Sequence, residues 1–201
     1  MNQAHISVPA GVYQSRAASP VLIQLVLAML GSLLIAVCAH VSIPLAFTPV
    51  PLTLQTFAVL LVGLTMGPAT AFAALTFYLA QGAAGVPVFS PNGPGGLLQI
   101  MGPTGGYLLS YPFAAALTGV AARRSGRSFG TYALSAAAGS AVILALGASW
   151  LAIASHQYPA TTLKLAVWPF LPGDALKVCA AAGVALGFRW ARDRFRFPNV
   201  L

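Results

Sequence analysis

Acidic side chains are almost missing from this sequence: Asp174 and Asp193 are the only two among 201 residues. A site built on paired carboxylates is therefore excluded, and so is a proton relay through several of them. Cysteine is nearly as scarce. Cys38 and Cys179 have no CxxC neighbour and each falls within an apolar run, so small buried packing residues are expected rather than a disulfide or a metal ligand. His5, His40 and His156 are scattered, without metal-ligand spacing. No GxxxxGK[ST], GxSxG or HExxH occurs, so the chain carries no nucleotide-hydrolysing, serine-hydrolase or zinc-protease signature of its own. No metal or cofactor is expected.

Charge as a whole is also thin. Only 6% of residues are charged and 58% are hydrophobic, against about 25% charged in a soluble domain. A chain this apolar needs lipid as its solvent. Helices and closed barrels are the two ways to cross a bilayer. The apolar runs here are roughly 17 to 25 residues long and do not alternate apolar with polar, which selects helices. The expected fold class is all-α: an integral membrane bundle of six helices at about residues 21–43, 54–66, 69–84, 104–122, 129–155 and 170–188. Residues 1–19 read as a flexible N-terminal segment, 20–190 as one membrane domain and 191–201 as a basic tail. The stretch Val21–Ala39 is longer than a signal-peptide core and lacks a clean cleavage site, so it is expected to stay as the first helix.

The net charge of +8 comes from clusters beside these spans: Arg16, then Arg123, Arg124 and Arg127, then Arg189, Arg192, Arg194 and Arg196. That is the positive-inside pattern, with arginines against anionic headgroups, and not a nucleic-acid surface. It puts both termini on the cytoplasmic side of a cytoplasmic (inner) membrane. The Pro- and Gly-rich segments Pro44–Pro51 and Gly85–Gly102 then face outward, with His156–Trp168. Irregular backbone at membrane depth is tolerated where protein buries it or a cavity is lined by it, so a binding site is expected on that outer face.

Four features carry chemistry there. Asp174 and Lys177, in Pro172-Gly-Asp-Ala-Leu-Lys177, are three apart and share a helix face. A lysine within a span is costly by roughly 2.5–3.5 kcal/mol, so it needs a partner. It is either half of a structural ion pair, a side chain snorkelling to the headgroups, or a contact for a ligand anion, with Asp174 accepting ligand N–H groups. Gln55, after the Pro-stiffened Thr48-Pro-Val-Pro51, offers amide donors and an acceptor. Gly106 and Tyr107, in Gly102-Pro-Thr-Gly-Gly-Tyr107, permit close approach and add an aromatic ring with a polar tip; an aromatic-belt anchor is the other reading of Tyr107. Asn92 in Pro91-Asn-Gly93 is either a mouth residue or part of an ordinary turn. Ala28, Ser32 and Ala36 form a small-xxx-small ladder on the first helix, suited to packing within the bundle or to docking a partner.

Together, Thr-Pro-Val-Pro-Leu-Thr-Leu-Gln-Thr (48–56), Gly-x-Pro-Val-Phe (85–89), Gly-Pro-Thr-Gly-Gly-Tyr (102–107) and Leu-Pro-Gly-Asp-x-x-Lys (171–177) resemble the BioY family, the biotin-binding S components of energy-coupling factor importers. The resemblance covers about residues 20–190. It implies a six-helix S-component fold, biotin as ligand, and Asp174 and Lys177 at that ligand, with Gln55, Gly106 and Tyr107 near it. It also implies docking through the first-helix ladder on a transmembrane coupling protein served by two cytoplasmic ATPases; Ser32 in place of alanine departs from that pattern. A transporter rather than an enzyme is expected. The competing readings are another vitamin as ligand, a membrane enzyme using Asp174 or Lys177 as base, and a structural subunit using the Ala28/Ser32/Ala36 face.

Overall fold

A computed structural model describes residues 19–156 and 158–195. The expected flexible segment up to residue 18, with His5 and Arg16, and the end of the tail from Arg196 onward lie outside the described residues.

The first helix, α1 (Pro20–His40), is set by its start signal: Pro20 at the first turn and Ser19 as cap, its Oγ accepting from the Leu22 amide at 3.2 Å. It stops three residues earlier than expected. The chain goes instead into β1 (Ser42–Ile43), paired antiparallel with β2 (Leu52–Thr53) in the register Ser42↔Thr53 and Ile43↔Leu52. The Leu54 amide adds a bond to Val41 O at 3.0 Å. So the Pro-rich loop is the tip of a small hairpin, and the fold is helical but not purely α. Pro44, Pro49 and Pro51 lack amide donors, which limits the ladder to its base.

Next come α2 (Gln55–Met66) and α3 (Pro68–Ala83), hinged on Gly67. Gly67 has φ +79°, a conformation glycine adopts freely, and Pro68 restarts the helix. Within the Gly/Pro-rich segment sits a short helix, α4 (Gly96–Met101), and after it α5 (Gly105–Arg124). α6 (Phe129–Ser155) opens on a reciprocal cap between Ser128 and Thr131. A second short helix, α7 (Pro159–Ala166), falls in the segment read as loop 156–168, and α8 (Leu171–Arg194) closes the described chain. α8 runs six residues past its expected end. Arginines propagate helix well and sit favourably at its C-terminus, and Arg194 also stacks over Trp190, 5.2 Å from the ring centre.

Among the described residues three helices, α1, α6 and α8, are long and apolar enough to cross a membrane. By contrast α2, with 12 residues, rises only about 18 Å at 1.5 Å per residue, well short of a ~30 Å hydrocarbon core. Around the bundle α5 packs on α6, α3 and α2, α1 on α3, and α8 on α2 and α6. Small residues make the crossings close: a Cβ on Gly63 of α2 would stand 2.6 Å from the Ala115 carbonyl of α5.

One expectation about a single residue is corrected. Cys38 is buried, but Cys179 is exposed on the outer side of α8, away from the buried Asp174, Val178, Ala181 and Ala182 stripe. The Ala28/Ser32/Ala36 ladder lies low on α1, between its outward side chains and α3. All three are buried, and the Ser32 hydroxyl donates to Gln81 Oε1 of α3 at 2.5 Å. Ser32 and Ala36 floor a groove walled by Met29, Leu33, Phe77 and Val88. The outward surface of α1 is Leu22, Leu25, Met29, Leu33 and Val37.

Candidate ligand-binding site

The hairpin and the starts of α2, α5 and α8 converge on one cavity, with α6 as its back wall. Its free interior is about 50 Å3, less than the roughly 300 Å3 or more of an open small-ligand site. Val50, Pro51 and Thr53 come from the hairpin, Gln55 and Thr56 from α2, Tyr107, Leu108 and Tyr111 from α5, Ile143 and Leu144 from α6, and Phe170, Asp174 and Lys177 from the α7–α8 side. Helix periodicity explains the grouping, since 107 and 111, like 174 and 177, fall one turn apart on a single face.

The charged end is a closed circuit. Asp174 is 6% exposed. Its Oδ1 lies 3.3 Å from Lys177 Nζ and its Oδ2 accepts from the Ser140 hydroxyl of α6 at 2.9 Å. The Lys177 side chain is itself 12% exposed, so it does not snorkel to the bilayer surface. One Nζ donor meets Asp174, and the ammonium has two more, which leaves capacity for an anion in the cavity.

The amide end is also networked. Gln55 is buried; its Nε2 donates to Tyr78 OH at 2.6 Å, and Tyr78 OH donates on to Val88 O at 3.1 Å. Gln55 Oε1 accepts from Thr53 Oγ1 at 3.2 Å and from Tyr111 OH at 3.5 Å. This chain ties the hairpin, α2, α3 and the loop after α3 to one side chain. Thr56 lies beside it. Its Oγ1 is buried yet finds no hydrogen-bond partner among the described residues, a polar atom at the cavity wall free to meet a ligand.

Of the residues singled out in the sequence, Asp174, Lys177, Gln55 and Tyr107 meet in this cavity. Tyr107 is not a headgroup anchor: it is buried, its hydroxyl donates to Ala166 O at 2.7 Å, and it fixes α7 over the site. Gly106 and Asn92 do not line it. A Cβ on Gly106 would strike Trp150 and come within 2.7 Å of Leu146 O, so its role is the close crossing of α5 and α6. The Asn92 amide donates to Ser42 Oγ at 2.6 Å and Ser42 meets Ser90 Oγ at 2.9 Å. Asn92 therefore clasps the hairpin to the loop after α3. Sequence reasoning missed Thr56, Tyr78, Tyr111 and Ser140, single polar groups inside apolar runs whose convergence needs the fold. Among the described residues, no group of His, Cys, Asp or Glu is placed to hold a metal.

The BioY family model matches residues 10–194. The chain belongs to the BioY family. Among similar BioY proteins, the "probable biotin transporter BioY" of Pyrococcus horikoshii is 38% identical over 152 residues, covering 76% of this chain and 87% of that protein. The "biotin transporter BioY" of Thermotoga maritima is 38% identical over 163 residues, covering 81% and 94%. A crystal structure of the S component for biotin from an ECF-type ABC transporter superposes with a TM-score of 0.79 at 23% identity, over 86% of this chain and 94% of that one. The fold is thus that of an S component, and family membership with three bilayer-length helices makes the chain a membrane protein. BioY relatives are named as transporters, not enzymes.

Proposed function

We propose that this BioY-family chain captures biotin in the Asp174–Lys177 cavity and hands it across the cytoplasmic membrane as the S component of an energy-coupling factor transporter. One observation carries the reading. A lysine with spare donors and a buried carboxylate stand together in an otherwise apolar, aromatic-walled cavity. Biotin presents one carboxylate, a ureido group with both donors and acceptors, and an apolar remainder. Lys177 takes the carboxylate, the Gln55 and Thr56 end takes the ureido group, and Tyr107, Tyr111, Ile143 and Phe170 cover the apolar parts.

In this arrangement α1, α2, α3, α5, α6 and α8 are the six crossing segments of one membrane domain spanning residues 20–190, with both termini cytoplasmic. The brevity of α2 supports the reading: the hairpin fills the depth above it, and irregular backbone there lines the cavity. Arg123, Arg124, Arg127, Arg189, Arg192 and Arg194 gather at the opposite end, the cytoplasmic one under the positive-inside rule. Import then draws on a transmembrane coupling protein and two ATPases, since the chain has no nucleotide-binding motif. The outward apolar face of α1 and the groove over Ser32 and Ala36 are the surface offered to the coupling protein.

Thr56→Val tests the ligand end without touching the ion pair. It keeps the side chain's shape and removes a buried hydroxyl that has no partner among the described residues. The melting temperature should hold or rise. Biotin affinity should fall about ten-fold, the loss of one hydrogen bond worth ~1.4 kcal/mol. Unchanged affinity in an equilibrium titration would remove Thr56 from the site.

A further inference from the structure

At the end of the bundle away from the ligand cavity lies a second one of about 240 Å3. Arg123 from α5, Arg127 from the α5–α6 loop, and Arg189 and Arg192 from α8 all line it, together with Tyr132 and Ser125. Asp174 and Asp193 are the only acidic side chains in the sequence, and neither lines this cavity. Asp174 belongs to the other end, and Asp193 is 62% exposed, with its Oδ1 3.9 Å from Arg192 Nε. Four guanidiniums thus share one concavity, with no carboxylate in it among the described residues.

The arrangement is built. The Arg123 guanidinium lies against Gly67 at the α2–α3 junction. Arg189 Nη1 donates to Tyr132 OH at 2.7 Å, which holds the side chain in place. Its Nε is buried and has no partner among the described residues. Helix C-termini explain why arginines favour this end; they leave that buried donor unmet. Forked, planar donors in a partly dry concavity are the chemistry that recognises tetrahedral phosphate oxygens.

We propose that this cavity is a specific site for one phosphate-bearing anion, whether a lipid headgroup or free phosphate. The anion ties the ends of α5 and α8 and the α2–α3 turn together. The site is separate from diffuse attraction of arginines to a charged leaflet.

The test uses the full-length protein, stripped of lipid in mild detergent and titrated with phosphatidylglycerol, phosphatidylcholine or inorganic phosphate. Native mass spectrometry counts bound lipid and the melting temperature reports the site. One retained phosphatidylglycerol, with a rise in melting temperature that phosphatidylcholine does not give, assigns a lipid headgroup. A rise with inorganic phosphate alone assigns the free ion. No response to either anion overturns the proposal. Arg123→Gln should weaken the response about five-fold or more, whereas Arg124→Gln, adjacent and equal in charge but outside the cavity, should change it by less than about two-fold. Equal effects of the two overturn the proposal in favour of diffuse charge. If Arg123→Gln does not fold, Arg192→Gln makes the same comparison. Biotin affinity should stay at the wild-type value in each, because none of these arginines touches the ligand cavity.

Discussion

Lys177→Met should weaken biotin binding by about a hundred-fold or more, and it should destabilise the empty protein as well. Both effects follow from one side chain. Asp174 is buried, with Lys177 Nζ 3.3 Å from Oδ1 and the Ser140 hydroxyl 2.9 Å from Oδ2. Removing one partner of a buried pair costs about 3–5 kcal/mol because the other charge stays behind. A hundred-fold in affinity is ~2.7 kcal/mol, the separate loss of a charge-assisted hydrogen bond from Lys177 to the ligand carboxylate. The two consequences separate in the double variant. Asp174→Asn on the Lys177→Met background removes the lone charge and retains a group that Ser140 can bond. Its melting temperature should recover most of the loss, while biotin affinity stays low. A Lys177→Met protein that binds biotin like wild type, or a double variant that regains affinity with stability, would reduce the pair to a structural ion pair.

Gly106→Ala should lower the melting temperature by about 5–10 °C. The new Cβ meets Trp150 and stands 2.7 Å from Leu146 O. Neither neighbour yields easily. Trp150 is held by its own Nε1–H bond to Gly102 O at 2.9 Å, and Leu146 O belongs to the α6 backbone. Overpacking of this kind costs about 1–3 kcal/mol, and a domain of this size loses roughly 2–4 °C per kcal/mol. Gly183→Ala is the control. It is also helical, but nothing lies within 4 Å of its added Cβ, so alanine's better helix propensity should hold or raise the melting temperature. Equal melting temperatures for Gly106→Ala and wild type, measured in the same detergent, would mean that α5 and α6 are not so close.

The positions of the long helices were legible because apolar runs of bilayer length leave a chain little choice. What was illegible depended on contacts between runs. The Pro-rich segment Pro44–Pro51 gives no strand signal, and its hairpin exists because Val41–Ile43 turns back to meet Leu52–Leu54. The short α4 and α7 lie in stretches whose glycines and prolines read as loop. Asp174 and Lys177 stood out because a charge inside an apolar helix is costly. Ser140 and Thr56 did not, since an isolated hydroxyl costs little in sequence terms. Gly106 is two-sided in the sequence: glycine admits close approach, and the structure shows Trp150 as the neighbour that comes close. The ladder Ala28/Ser32/Ala36 was equally two-sided. Its serine is committed to Gln81 within the bundle.

Biotin occupancy of the Asp174–Lys177 cavity is tested most directly by an equilibrium titration of the purified wild-type protein with biotin, with thiamin as comparison. Saturable one-to-one binding of biotin at micromolar concentration or below, with none for thiamin, is the predicted result. Absence of saturable biotin binding in that range, from protein that melts cooperatively, would contradict it.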